Sequence, residues 1–184
     1  MNYWILWCAM ANILIIYSTT DGHTLKICQR LRDTIERRAN QVALMPVEDC
    51  GEIGLLAFDK IIIGASIRYG KHNPKFVAFV NRNASILNGK VTAFFSVNAV
   101  ARKPEKCSPN TNPYVKKFLR NTAWKPKEIA VFAGKIDYPR YSPVDRFVIR
   151  LIMWITSGPT DPSAAVEFTD WQRVEDFADI IDKM

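Results

Sequence analysis

A chain of 184 residues, 48% of them hydrophobic, is long enough to bury one substantial core and short enough to argue for a single domain. Its formal net charge of +7 asks for an anionic partner, whether nucleic acid, a membrane surface or an acidic small molecule, without choosing among them. Four widely spaced cysteines with no CxxC pair, and only two histidines, His23 and His72, argue against a disulfide framework or a His/Cys metal site and fit free thiols in a reducing cytoplasm.

The opening "MNYWILWCAM" is apolar but lacks a basic n-region and an A-x-A cleavage pattern, which disfavours a secretory signal. Residues 1–10 read as an N-terminal extension, with an upstream start and a membrane-touching tail both left open, and the domain proper as residues 11–184. "NILIIY" is a short β-branched run suited to a strand buried on both faces, and "TLKICQRLRDTIERR" behind it has the spacing of an amphipathic helix. "NQVALMPV" is a weaker strand. "FDKIIIGAS", "KVTAFFSVN" and "EIAVFAGKI" are further buried runs, separated by the helical patterns "NPKFVAFVNRNASIL" and "NPYVKKFLRNT". This alternation predicts an α/β fold with a doubly wound, five-stranded parallel sheet. The turns "STTDGHT", "GASIRYGKHNP" and "SVNAVARKPEK" all follow strands, so they should share one crevice at the carboxyl ends of the sheet. An insertion at about 137–164 then interrupts the last strand region. Beyond it come "AVEFTD" and a final helix, "WQRVEDFADIIDKM", capped by Thr169 or Asp170 with acids in its first turns.

The turn "YSTTDGHT" aims backbone N–H groups, hydroxyls and the positive end of a helix dipole at one spot, an arrangement suited to a phosphate. Neither G-x-x-x-x-G-K-[ST] nor G-x-G-x-x-G is present, which disfavours a nucleoside-triphosphate loop and a dinucleotide turn. What remains, T-x-x-G-x-T across Thr19, Gly22 and Thr24, resembles the FMN-phosphate loop of flavodoxins, the alternative being an ordinary helix capped by Ser or Thr. Asp21 is expected to point outward and bond local amides, and Cys28 stands where the family pattern has a small alanine. With "IIIGASIRYGKH", "SVNAVARKPEK" and "YPRY…DRFVIRLIMW…TD…TDW", the chain from about Ala11 onward resembles the flavodoxin-like, quinone-dependent protoporphyrinogen IX dehydrogenase family of bacteria. The resemblance implies a sheet order of 2-1-3-4-5 and an FMN cofactor. It implies oxidation of protoporphyrinogen IX to protoporphyrin IX in three two-electron steps, with electrons passed to menaquinone or ubiquinone, a step of haem biosynthesis. FMN would be held by Ser18, Thr19, Thr20, Asp21, Gly22, His23 and Thr24 at its phosphate, and by Ser66, Ile67, Arg68, Tyr69, Ser96, Val97, Asn98 and Ala99 around the ring. Tyr69 is a candidate for stacking, and Arg68 for favouring the anionic reduced flavin or meeting a substrate propionate. No side chain stands out as a catalytic acid or base.

Between Arg102 and Lys127 eight cations face only Glu105 and Glu128, a solvated face or an attraction for porphyrinogen carboxylates or anionic lipid. No nucleic-acid-binding motif accompanies the charge. "PVDRFVIRLIMWITSG" is too short to span a bilayer, yet it carries a broad apolar surface with Arg146 and Arg150 one turn apart and Tyr138, Tyr141 and Trp154 nearby. It reads as a helix lying in the membrane interface, which would place the protein peripherally on the cytoplasmic face of the inner membrane. A buried core helix is the alternative, and a homo-oligomer stays open. Two other functions remain in contention: an NAD(P)H:quinone oxidoreductase of the same fold, and a flavodoxin-type electron carrier, against which the positive charge and the apolar insertion speak.

Overall fold

Runs that are apolar on both faces find their partners in each other, with helices laid above and below. The computed structural model describes residues 10–51 and 54–184, so the expected N-terminal extension, Cys8 included, lies apart from Met10 outside the described residues. Strand β1 (Asn12–Ser18) leads into α1 (His23–Glu36), β2 (Gln41–Pro46), β3 (Lys60–Arg68), the two-residue β4 (Lys71–His72), α2 (Pro74–Arg82) and α3 (Ala84–Asn88). Then follow β5 (Val91–Asn98), α4 (Pro113–Asn121), β6 (Glu128–Ala133), β7 (Lys135–Asp137), α5 (Pro143–Ile155), β8 (Ala165–Glu167) and α6 (Trp171–Lys183). The main sheet runs β2-β1-β3-β5-β6 with every neighbour parallel, so the five parallel strands take the 2-1-3-4-5 order of a flavodoxin-like sheet.

The two-residue period of a strand sends alternate side chains to opposite faces. Ile13, Ile15, Ile62 and Phe95 pack under α1 and α6 against Ile27, Leu31, Val174 and Phe177. Leu14, Ile16, Ile61, Ile63 and Phe94 face the other way, towards Phe76, Phe79, Val115, Phe118 and Trp124. Gly64 lies beside Phe95 in register, and a Cβ there would stand 2.1 Å from the Phe95 Cζ, so the glycine makes room for the ring. On the outer surface α6 is joined to α1 by Arg30–Glu175, and to the turn just past α1 by Arg38–Asp179 and by Arg38–Asp182 at 3.3 Å.

Four local features differ from the sequence reading. The run 73–87 breaks at Asn83 into α2 and α3, where the Asn83 amide donates to the Phe79 carbonyl. "EIAVFAGKI" splits at Gly134: β6 stays in the main sheet, while β7 leaves it to pair antiparallel with β8 as a separate ribbon that brackets α5. Past the sheet β3 folds into a hairpin with β4, whose two-residue loop, Tyr69 (φ 49) and Gly70 (φ 74), has the positive φ pair of a type I′ turn. Helix α6 is capped by Asp170 but has no acid in its first turn; Glu175 follows a turn later and pairs with Arg30.

Helix α5 starts on a Ser142 cap with Pro143 in its first turn. It stops in a Schellman arrangement, with Gly158 N–H donating to the Met153 carbonyl (2.7 Å), Ser157 N–H to the Trp154 carbonyl (3.3 Å), and Ser157 itself left-handed at φ 55. Its inner side contributes Met153 and Ile149 to a small core with Ile136, Tyr138 and Tyr141. Its outer side is bare: Val144, Phe147, Trp154 and Ile155 are each about 70% exposed, and Leu151 lies between them on the same stripe. No described helix is long and apolar enough to cross a membrane.

Candidate functional site

The turn after β1 is built to leave a helix end open. The Thr19 hydroxyl accepts the Gly22 N–H at 3.1 Å, Gly22 turns the chain at φ 80, and α1 begins with no side-chain cap and no acid in its first turn. This overturns the alternative of an ordinary Ser- or Thr-capped helix. Thr24 makes the point more strongly: its hydroxyl is buried and has no hydrogen-bond partner among the described residues. A buried donor without an acceptor, beside uncapped N–H groups at the positive end of a helix, is the donor set for a phosphate. The residues therefore fit the phosphate of a flavin mononucleotide without a basic side chain.

His23, the first residue of α1, has its Nε2 2.6 Å from the Thr169 hydroxyl, which donates its one proton to the Ala133 carbonyl at 2.8 Å. The imidazole is accordingly the donor to Thr169. Burial lowers the pKa of His23, Glu167 opposes that, and Lys26 and Lys135 add to the lowering.

A cleft of about 660 Å³ opens at the carboxyl ends of the strands. It is lined by Thr19–Thr24, by Ser66–Tyr69 and by Val97–Ala99, so three turns from separate parts of the chain meet in one crevice. Ser18 and Ser96 do not line it. Ser18 is buried behind the loop, its carbonyl accepting from the Ser66 hydroxyl, and Ser96 belongs to a buried chain running His72 Nε2, Ser96 Oγ, Asn98 and Asn112. His72 is caged by Phe76, Phe94 and Phe118, and burial holds its pKa down to about 4.

The charged residues of the cleft depart from expectation. Asp21 does not bond local amides; it reaches across to Arg68 at 2.8 Å. Arg68 also pairs with Asp145 in the first turn of α5 at 2.9 Å, and its guanidinium lies over the rings of Tyr141 (5.1 Å) and Tyr69 (5.3 Å). With both ends of its fork occupied, Arg68 is not a free cation waiting for a propionate. Tyr69, 53% exposed, stands at the rim of the cleft beside Arg68. Arg102, the first cation of the basic run, is not solvated either: it donates to the Ala99 carbonyl and to the Thr156 carbonyl and hydroxyl, each at 2.8 Å. Lys26 pairs with Glu167 and Lys135 with Asp137. No group of three or more potential metal ligands occurs among the described residues.

One wall of the cleft was not anticipated. Gly134–Asp137, Tyr141, Ile149, Ile152, Met153 and Thr156 all face it, which brings the ribbon and the inner side of α5 into the site. The signal was present in the sequence, since the loop after the last parallel strand must open at the same end of the sheet as the turns after β1, β3 and β5.

The sequence profile of the family described as "Flavodoxin domain" matches residues 14–163. A protein of Escherichia coli (strain K12) described as "Protoporphyrinogen IX dehydrogenase (quinone)" is 45% identical over 165 residues, covering 90% of this chain and 91% of its own length. A Leishmania major protein with the same description is 40% identical over 166 residues, covering 90% of this chain and 72% of its own length. Among solved structures, oxidised Flavodoxin 1 from Bacillus cereus matches with a TM-score of 0.56 at 17% identity over 94% of this chain and 98% of its own, a likeness of fold.

Proposed function

The chain belongs to the flavodoxin-domain family and, within it, to the quinone-using protoporphyrinogen IX dehydrogenases, and from that premise we propose that it oxidises protoporphyrinogen IX to protoporphyrin IX and delivers the electrons to a membrane quinone, menaquinone or ubiquinone. FMN, when bound, supplies the two-electron relay between substrate and quinone. The single observation that carries the reading on this chain's own residues is the buried, unpartnered Thr24 hydroxyl at the open end of α1. Thr24 and the amides of the first turn of α1 hold the phosphate, while Thr19, already accepting from Gly22, keeps its own proton to donate. Ser66–Tyr69 and Val97–Ala99 flank the ring, and Ser18 and Ser96 support those turns from behind. The carboxylates lining the cleft, Asp21, Asp137 and Glu167, are each paired with a cation, so none is assigned as an unpaired proton acceptor.

The same proposal extends to location. The bare stripe of α5 seats in the interface of the cytoplasmic face of the inner membrane, beside the bilayer that dissolves the oxidant. This is supported by the stripe's exposure and by Arg150, exposed on its flank. Arg146 takes no part, because its guanidinium is committed to the carbonyls of Tyr138 (3.1 Å) and Pro139 (3.5 Å).

The test is spectroscopic. The purified protein should carry a flavin spectrum that bleaches anaerobically with protoporphyrinogen IX and returns with a quinone, and NAD(P)H should leave it unchanged. Bleaching by NAD(P)H alone would favour the nicotinamide-driven oxidoreductase. A flavin reduced by neither donor would leave an electron carrier.

A further inference from the structure

Five cations line the cleft: Lys26, Arg68, Arg102, Lys135 and Arg140. Four are engaged. Arg68 bridges Asp21 and Asp145, Arg102 is bound to Ala99 and Thr156, and Lys26 and Lys135 hold Glu167 and Asp137. Those two lysines also belong to the phosphate end, since they are the cations that act on His23. Arg140 alone is exposed and has no hydrogen-bond or ion-pair partner among the described residues.

The backbone that carries Arg140 is held firmly although its side chain is not. Arg140 ends the short 3-10 turn Tyr138–Arg140 that opens the insertion. On one side the buried Tyr138 donates its hydroxyl to the Pro159 carbonyl at 2.7 Å, and the Tyr138 carbonyl accepts from Arg146. On the other side the Tyr141 hydroxyl accepts the Asp137 N–H at 3.2 Å. Next to this mount the cleft wall is apolar, formed by the Tyr141 ring, Ile149, Ile152 and Met153. An unpaired guanidinium on a fixed turn, at the rim of an apolar wall, suits an apolar ligand with a carboxylate at one edge.

We infer that Arg140 binds the propionates of the porphyrinogen, which sets the macrocycle against the α5 wall with its carboxylate edge at the rim and its vinyl edge inward. The inference rests on the function proposed above and adds to it the residue that selects a dicarboxylate and the direction in which it lies. The two propionates of this tetrapyrrole are on adjacent rings, so a single planar fork can reach one squarely or bridge both. Arg140 is a binding residue and takes no part in the electron transfer. Its loss should therefore appear in affinity, while turnover at saturation is unchanged.

The experiment compares Arg140→Gln, Arg140→Lys and the parent holoprotein with two ligands, the free diacid and its dimethyl ester. A charge-assisted contact at a partly desolvated site corresponds to about a ten- to hundredfold change in affinity. Arg140→Gln should raise KM for protoporphyrinogen IX by that factor and weaken binding of the redox-inert product, protoporphyrin IX, followed by fluorescence, to the same extent. FMN affinity, flavin spectrum and thermal midpoint should stay at parental values. Arg140→Lys should recover part of the loss. With the dimethyl ester, parent and Arg140→Gln should be indistinguishable, because the group Arg140 recognises is gone. Unchanged diacid affinity in Arg140→Gln, or an equal penalty on acid and ester, overturns the inference while leaving the enzymatic reading intact. A parent holoprotein that neither binds the product nor oxidises the porphyrinogen overturns both.

Discussion

The Thr24 hydroxyl is buried without a partner, and a polar group in that position costs the folded chain free energy until a ligand meets it. Thr24→Val keeps the shape and removes the group, so two effects of opposite sign are expected. The thermal midpoint of the FMN-free protein should hold or rise, and FMN affinity should fall about tenfold, the size of a hydrogen bond to a charged group. Equal FMN affinity in titrations of parent and variant would mean that the hydroxyl does not face the phosphate. His72 offers a second test at this scale. Unfolded, its imidazole titrates near 6.5; folded among three phenylalanines it titrates at about 4. Between those values only the unfolded chain takes up the proton, so this residue withdraws stability as pH falls through the window, up to about 3 kcal/mol in all. Urea midpoints measured from pH 7 down to pH 4 should drop more steeply in the parent than in His72→Gln, and parallel slopes would sink the assignment. The open turn after β1 was legible because hydroxyls, glycine and helix start are contiguous. Ser18 and Ser96 were misplaced because proximity to a turn does not say which way the pleat aims a side chain, and Asp21 because its partner lies 47 positions away.

At the scale of elements, the central strands were readable because they are apolar on both faces, as only buried parallel strands are. The break at Gly134 was not, because nothing local distinguishes a strand that continues from one that leaves the sheet to pair with residues 165–167. The two arginines of α5 show a similar limit. The sequence places them one turn apart, and the structure gives them different work: Arg146 braces the turn before the helix, and Arg150 faces solvent beside the bare stripe. Arg150→Glu changes the charge by two units, so at roughly 1 kcal/mol per unit near the surface it should weaken binding to anionic vesicles by about thirtyfold at low salt, and leave the thermal midpoint alone. Arg146→Glu should instead lower the thermal midpoint. Co-sedimentation of Arg150→Glu at the parental level would point away from electrostatic docking and towards a second protein surface covering the stripe.

Across the whole molecule, α5 is fastened at both ends to the turns that flank the cleft. Asp145 in its first turn is held by Arg68, which also holds Asp21 of the turn after β1, and Thr156 past its last turn is held by Arg102, which also holds Ala99. The bare stripe and the turns that line the cleft thus share a frame, and whatever steadies one should steady the other. Asp145→Asn cuts one fastening at a partly exposed pair, so a loss of a few-fold is expected in FMN affinity and in vesicle binding alike. If only one of them changes, the frame does not connect them. Where it does, thermodynamic reciprocity applies: vesicles must tighten FMN binding by the same factor by which FMN tightens vesicle binding, which paired titrations can check. If the stripe seats in a bilayer as proposed, a copy that has lost its flavin would hold that bilayer less tightly by the same factor, and the membrane would be enriched, out of a mixed population, in the copies able to turn over.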